Sequence, residues 1–330
     1  MTTFCNTRAY SRRQFLSLLA TGALMPLLPS CLAKNLAINI GFHDWPGYEP
    51  TLLAHSLGWS DDKLINLIQT QSISDSIRQL EQGKLDGVGL TLADVLRARE
   101  MGIPLSVILV CDISTGAGQF LVRPEIKELA AIKGCRIAVE EGVLGALMLH
   151  QVLQMANLSL ADVMPVELSV DQQLDAWQRG AIDAVLTYES ASLAIMKLGG
   201  VRLCKRSVPP DLMVNVFAVR AELLDFAHSA ALHHMVNVHL QAIEYLNTNA
   251  DDAMYRMAAH FQLPAEQVMV TFKSLVLSDL EHNIRMLGTT EPYLLKSATA
   301  IADIMLEAGI LHKPVELAGL LKVDYLPVSR

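Results

Sequence analysis

An internal echo limits most strongly how this chain can fold. Leu80-Glu81-Gln82-Gly83-Lys84-Leu85-Asp86-Gly87-Val88 is answered later by Ala176-Trp177-Gln178-Arg179-Gly180-Ala181-Ile182-Asp183-Ala184-Val185. Each copy reads as the end of an amphipathic helix, a glycine C-cap, an aspartate three residues after that glycine, and a short apolar strand ending near Thr91 or Thr187-Tyr188. A helix-to-strand turn used twice implies two bodies of similar build.

The surrounding pattern supports this. From Leu36, short apolar runs (Ala37–Phe42, Leu64–Gln69, Val88–Thr91) alternate with amphipathic stretches, one from about Glu49 and one over Ser74–Gln82. Strands alternating with helices imply βαβ units and a mostly parallel sheet, so the class is α/β. At 330 residues, with 52% hydrophobic content, the chain can bury two cores. Two extended segments, Gly118–Arg123 and Val214–Arg220, flank the second copy, and each leads into an acid-bearing helix start near Glu125 or Glu222. Taken as crossovers, they divide the chain into a leader (1–33), a first part of lobe 1 (34–123), an inserted lobe 2 (124–213) and a second part of lobe 1 with C-terminal helices (214–330). The strands near Phe120 and Val216 would then form the hinge. Ala221–Leu246 and Thr290–Leu306 carry Leu, Met and Ala stripes that suit ordinary core faces.

The N-terminus reads as an address. Ser11-Arg12-Arg13-Gln14-Phe15-Leu16 leads into an apolar run from Leu18 to Leu28, which resembles a twin-arginine export signal. Leu28-Pro29-Ser30-Cys31 resembles a lipobox, which would make Cys31 a lipidated mature N-terminus and tether the protein to a membrane surface. Pro29 departs from that pattern, and cleavage after Ala33 is the alternative. Export places the protein in the periplasm or at the cell surface. Cys111, Cys135 and Cys204 sit in apolar, strand-like runs without a Cys-x-x-Cys, so they read as core residues, with no bridge expected. The net charge is −8, and removing residues 1–30 leaves 23 basic against 34 acidic residues, or −11. That balance repels phosphate backbones and argues against nucleic acid as a partner.

Asp44-Trp45-Pro46-Gly47-Tyr48 after the first strand, the two Gly-x-x-Asp-x-Val echoes, and Lys133-Gly134-Cys135-Arg136-Ile137-Ala138-Val139 resemble the periplasmic solute-binding proteins of the nitrate, sulfonate, taurine and thiamine-pyrimidine-precursor group. The resemblance runs from about residue 36 to 325. It implies a periplasmic-binding-protein type II fold, with two lobes of parallel-type sheets joined by a two-strand hinge. It also implies a monomer that captures a small molecule, without a cofactor, for an ABC permease and ATPase. A membrane sensor as partner is the alternative, because either would read the outer surface of both lobes.

In such sheets ligands lie beyond the carboxyl ends of strands. Those ends offer His43, Asp44, Trp45, Tyr48, Ser72, Ser74, Thr91, Asp94, Asp112, Ser114, Glu140, Glu141, Gly142, Gly145, Tyr188, Glu189 and Asp211. The expected contacts are Asp44, Trp45, Tyr48, Ser74, Thr91, Asp112, Ser114, Glu141, Gly145, Tyr188 and Glu189. Trp45 can stack on a planar ring or a cation, or can simply plug the sheet edge beside Pro46. Gly142 and Gly145 bracket a helix start that can meet an oxyanion, or a tight turn that needs glycine for backbone reasons. The acids at these ends, with no Arg or Lys among them, favour an amine or amino-substituted heterocycle over a bare anion. An enzyme is not expected. His233, His234 and His239 lack the spacing of a metal pair and read as a solvated or partly packed helix, no metal set is visible, and nucleophile, Walker and dinucleotide motifs are missing.

Overall fold

The computed structural model describes residues 36–114, 118–204, 213–261, 263–273, 275–288 and 290–328. Arg12, Arg13, Cys31 and Asp211 lie outside the described residues.

The chain first lays down β1 (Ile38–Phe42), α1 (Glu49–Ser56), β2 (Ile65–Gln69), α2 (Ile73–Glu81), β3 (Gly87–Thr91), α3 (Leu92–Glu100) and β4 (Leu105–Ser114). It then builds β5 (Gln119–Val122), β6 (Arg136–Val139), α4 (Val143–Ala156), β7 (Met164–Glu167), α5 (Val170–Gln178), β8 (Ala184–Thr187), α6 (Glu189–Lys197) and β9 (Val201–Cys204). Last come β10 (Val214–Arg220), α7 (Phe226–Thr248), α8 (Ala250–Phe261), α9 (Ala265–Thr271), β11 (Leu275–Leu277), α10 (Leu280–Leu287) and α11 (Tyr293–Glu307).

Two sheets result, in the orders β11-β4-β10-β3-β1-β2 and β7-β6-β8-β5-β9. The expected parallel-type sheets are in fact mixed. Each has a parallel trio, β2-β1-β3 or β7-β6-β8, and beside it one strand running the other way, β10 or β5. A strand that enters a sheet from the other half approaches from the opposite end, so it pairs antiparallel.

The echo is structural as well as textual. In each copy the turn glycine is left-handed, with φ +66 at both Gly83 and Gly180. Asp86 then accepts the N–H of Asn39 in β1 at 2.8 Å, and Asp183 accepts the N–H of Arg136 in β6 at 2.9 Å. Each carboxylate satisfies a backbone donor at the start of a central strand. The carbonyls of the same two aspartates accept the N–H groups of Arg220 and Arg123, both at 2.9 Å. The end of each antiparallel strand is thereby locked to its turn.

One expectation needs correction. Phe120 is not in a hinge: β5 pairs with β8 and β9, and Phe120 is fully buried in the core of the second sheet. The second body therefore begins by Gln119 rather than after Arg123, because an apolar segment buried on both faces is held by whichever sheet completes its hydrogen bonds. The two crossings run side by side where the Ser114 N–H donates to the Met213 carbonyl at 2.9 Å.

The C-terminal helices cover the first sheet. Met235 of α7 and Leu294, Ile301 and Met305 of α11 are buried in its core, while α1, α7, α8 and α9 share a satellite core around Leu53, Val238, Met257 and Val268. Cys111 and Cys135 are free thiols. Among the described residues no helix is long and apolar enough to cross a membrane.

Candidate functional site

Three neighbouring strands bring Thr91, Asn215 and Asp112 to one level. Asn215 of β10 is the register partner of Thr91 at the end of β3 on one side and of Asp112 near the end of β4 on the other. Asp112 is fully buried, accepts from the Asn215 side-chain amide at 3.0 Å and from the Trp45 indole N–H at 2.9 Å, and has no ion-pair partner among the described residues. Burial pushes its carboxyl up to about 7 against the pull of those two donors. Thr91 caps α3 by accepting the Asp94 N–H at 3.1 Å, and its hydroxyl donates to the Asp94 carboxylate. Burial pushes Asp94 up to about 6, and the charge of Glu140 adds to that shift.

The second sheet contributes the residues just past two adjacent parallel strands. Glu140 follows β6 and Tyr188 follows β8, and the Tyr188 hydroxyl donates to the Glu140 carboxylate. Burial raises Glu140 despite that bond and holds Tyr188 well above the usual phenol range. Two contacts join the sheets here. The Tyr188 ring meets Trp45 edge-on at 6.3 Å, and the Asp94 carboxylate accepts the N–H of Val143 at the start of α4. An acid at a helix N-terminus is favoured by the helix dipole as well as by the bond. The result is two buried carboxyls, Asp94 and Asp112, and a partly buried third, Glu140, with two aromatic walls and no lysine or arginine paired to them among the described residues.

Tyr48 lies beneath this group. It is 1% exposed, its ring packs on Phe217 at 5.3 Å and occupies the space over Gly89, and its buried hydroxyl has no partner among the described residues. Ser114 is buried at the first crossing. Glu189 opens α6, and its side chain lies outside the described part of the structure.

Several expected contacts are not brought into the group. Asp44 is exposed and accepts from the Gln69 amide at 2.7 Å, because the extended backbone at Trp45 (φ −149, ψ 129) sends adjacent side chains to opposite sides. Glu141 is exposed for a similar reason, and its neighbour Glu140 is the one that turns inward. Ser74 is exposed in the first turn of α2, whose cap is Ser72. Gly145 serves the backbone: a Cβ there would stand 1.9 Å from the Glu140 carbonyl, so only glycine lets α4 pack onto that turn. His239, read as solvated or partly packed, is fully buried, bonded to the Thr51 hydroxyl at 2.8 Å and lowered to about 3 by burial. Asn215 was missed because its only signal is the cross-strand register. The described residues contain no group of three or more His, Cys, Asp or Glu arranged to hold a metal ion.

Gly47 offers a direct check of this packing. A Cβ there would fall 1.7 Å from an Asp112 carboxylate oxygen and 2.9 Å from the Trp45 indole nitrogen. Gly47→Ala is therefore expected to displace both side chains and lower stability by about 1–3 kcal/mol in a urea melt. An unchanged midpoint would show that this approach is not tight.

The sequence pattern described as the NMT1-like family matches residues 33–261. Among curated proteins no sequence matches. Solved structures are similar in fold. The alkanesulfonate-binding protein SsuA from Xanthomonas axonopodis pv. citri, bound to MOPS, is 18% identical with TM-score 0.68 over 88% of this chain and 99% of that one. The periplasmic aliphatic sulphonate binding protein SsuA from Escherichia coli is 18% identical with TM-score 0.69 over 89% and 95%. A ligand-binding component of an ABC-type import system from Staphylococcus aureus, with zinc bound, is 16% identical with TM-score 0.67 over 88% and 97%.

Proposed function

The chain belongs to the NMT1-like family, and from that premise we propose that it is an exported solute-binding protein whose two halves close on a small amine or amino-substituted heterocycle and deliver it to an ABC permease and ATPase. The observation that carries the ligand class is the trio Asp94, Asp112 and Glu140, gathered where the two sheets meet, the two aspartates buried and the glutamate partly so, without a basic partner among the described residues. Two of the structurally similar proteins are named for sulfonates. An anion placed here would meet each ionised carboxylate at a cost of roughly 4 kcal/mol at 4 Å and an effective dielectric near 20, whereas a cation would gain a similar amount from each. Trp45 and Tyr188 supply flat faces for a ring or an ammonium group. Thr91 and Asn215 hold the acids in place, and Tyr48 lies beneath them.

The leader completes the reading. Arg12 and Arg13 would direct export, and Cys31 would carry the lipid that keeps a monomeric binding protein near its permease. A ligand touching both halves favours the closed arrangement, so capture and closure are one equilibrium.

The test is a thermal-shift screen of residues 35–330 with an aminopyrimidine, a primary amine, nitrate and propanesulfonate. The aminopyrimidine or the amine is expected to raise the melting temperature, by about 2.7 kcal/mol of stability at a hundred times its Kd. A shift with propanesulfonate or nitrate and none with the nitrogen bases would overturn the ligand class.

A further inference from the structure

Apart from the carboxylate group, a cavity of about 620 Å³ opens between α4 and the C-terminal end of α11. Its volume is in the range of small-molecule sites. Val139, Leu149 and Leu153, each 3% exposed, line it with apolar surface. His150 also lines it, and its buried Nε2 has no hydrogen-bond partner among the described residues. Glu167 and Glu307 are exposed members of the lining, which includes no lysine or arginine. Leu160, 60% exposed on the same wall, is a large apolar side chain left in water. The cavity draws on both halves: α4 and β7 belong to the second sheet's body, while Glu307 ends α11, which packs on the first. The Gln154 amide donates across it to Glu307 at 2.9 Å.

We propose that this cavity is a second binding site, for an amphipathic amine whose alkyl body covers the leucine surface and whose ammonium group sits at the acidic rim formed by Glu167 and Glu307. Apolar surface accounts for affinity and the acidic rim for the sign of the charge. The proposal stands independently of the ligand read for the carboxylate group, since it shares no residue with it.

The test is calorimetric titration of the full chain with octylamine and, in parallel, octanoate. Octylamine is expected to bind, and octanoate to bind at least about tenfold more weakly. In the Trp45→Ala background, which disables the carboxylate group, Ala146→Trp, which adds an indole on the cavity wall, is expected to abolish the remaining octylamine binding, and Glu167→Gln with Glu307→Gln to weaken it about tenfold. Trp45→Ala by itself is expected to leave the cavity's share of octylamine binding in place. If Ala146→Trp loses its native circular dichroism, the exposed double glutamine variant decides. Equal binding of octanoate, or octylamine binding that is lost altogether in Trp45→Ala, would overturn the proposal. In that last case the amine occupies the carboxylate group, and the primary reading stands without this one.

Discussion

Trp45→Ala is expected to weaken binding of the amine ligand by about 30- to 1000-fold, the 2–4 kcal/mol typical of a buried aromatic anchor. Two losses combine. The indole is the wall that faces Tyr188 at 6.3 Å, so its removal opens one side of the group to water. Its N–H is also one of two donors to the Asp112 carboxylate, at 2.9 Å. Without it, only the Asn215 donor still favours the ionised acid and the carboxyl rises further, which takes away the charge a cation needs. The fold should survive, because Trp45 is only partly buried and packs on the margin of the first core. Its stability cost is expected near 2 kcal/mol, below the 3–5 kcal/mol of a fully buried aromatic. Titration calorimetry and a urea melt separate the two effects, and Trp45→Phe, which keeps a ring but lacks the N–H, should fall between. Unchanged affinity in Trp45→Ala would remove the residue from the site.

The second large effect is on pH. Burial holds Asp112 near 7 and Asp94 near 6, and it raises Glu140 as well. Without ligand, these acids keep protons that an ordinary carboxyl would have lost. A cation requires them ionised, so binding releases protons and affinity rises with pH. For Asp112 alone, the ionised fraction climbs from about one in a hundred at pH 5 to nearly all at pH 8, which predicts an affinity gain of about a hundredfold. Asp94 steepens the same change. The sign for stability is opposite: a carboxyl whose folded value is raised contributes its full stability below the unfolded value and loses it as pH rises through the folded one. Glu49, pushed up to about 8 by burial, acts in that same direction on stability. His43 and His239, lowered by burial to about 4 and 3, act against it, removing stability as pH falls below the ordinary histidine range. Melting curves therefore mix many groups, and affinity is the cleaner readout. Affinity independent of pH between 5 and 8, or falling as pH rises, would exclude a cation held by these carboxyls.

How much was legible follows the distance over which each feature is determined. The Gly83/Asp86 and Gly180/Asp183 turns were legible because a left-handed glycine and an aspartate three residues later are local signals, and in the structure both aspartates tie down the first strand of a parallel trio. The α/β class was legible because the periods of strand and helix differ. Trp45, Thr91, Asp112 and Tyr188 could be placed together from sequence, since each stands near the end of a strand or in the loop that follows one. Asp44 against Asp112, and Glu141 against Glu140, could not be ranked, because all are acids at strand ends and only packing separates them.

Local pattern thus determined by itself the fold class, the duplicated βαβ plan and the strand ends from which polar groups project. Tertiary structure alone decided which sheet took β5, that Asn215 would bond an aspartate 103 residues away, and that Trp45 would bond the same aspartate across 67 residues. The physical reason is that burial, and the carboxyl shifts that come with it, depend on segments far apart in the chain closing over the same few atoms. A backbone turn is settled by its own residues; the charge of Asp112 is settled by β10, the loop after β1 and the exclusion of water between them.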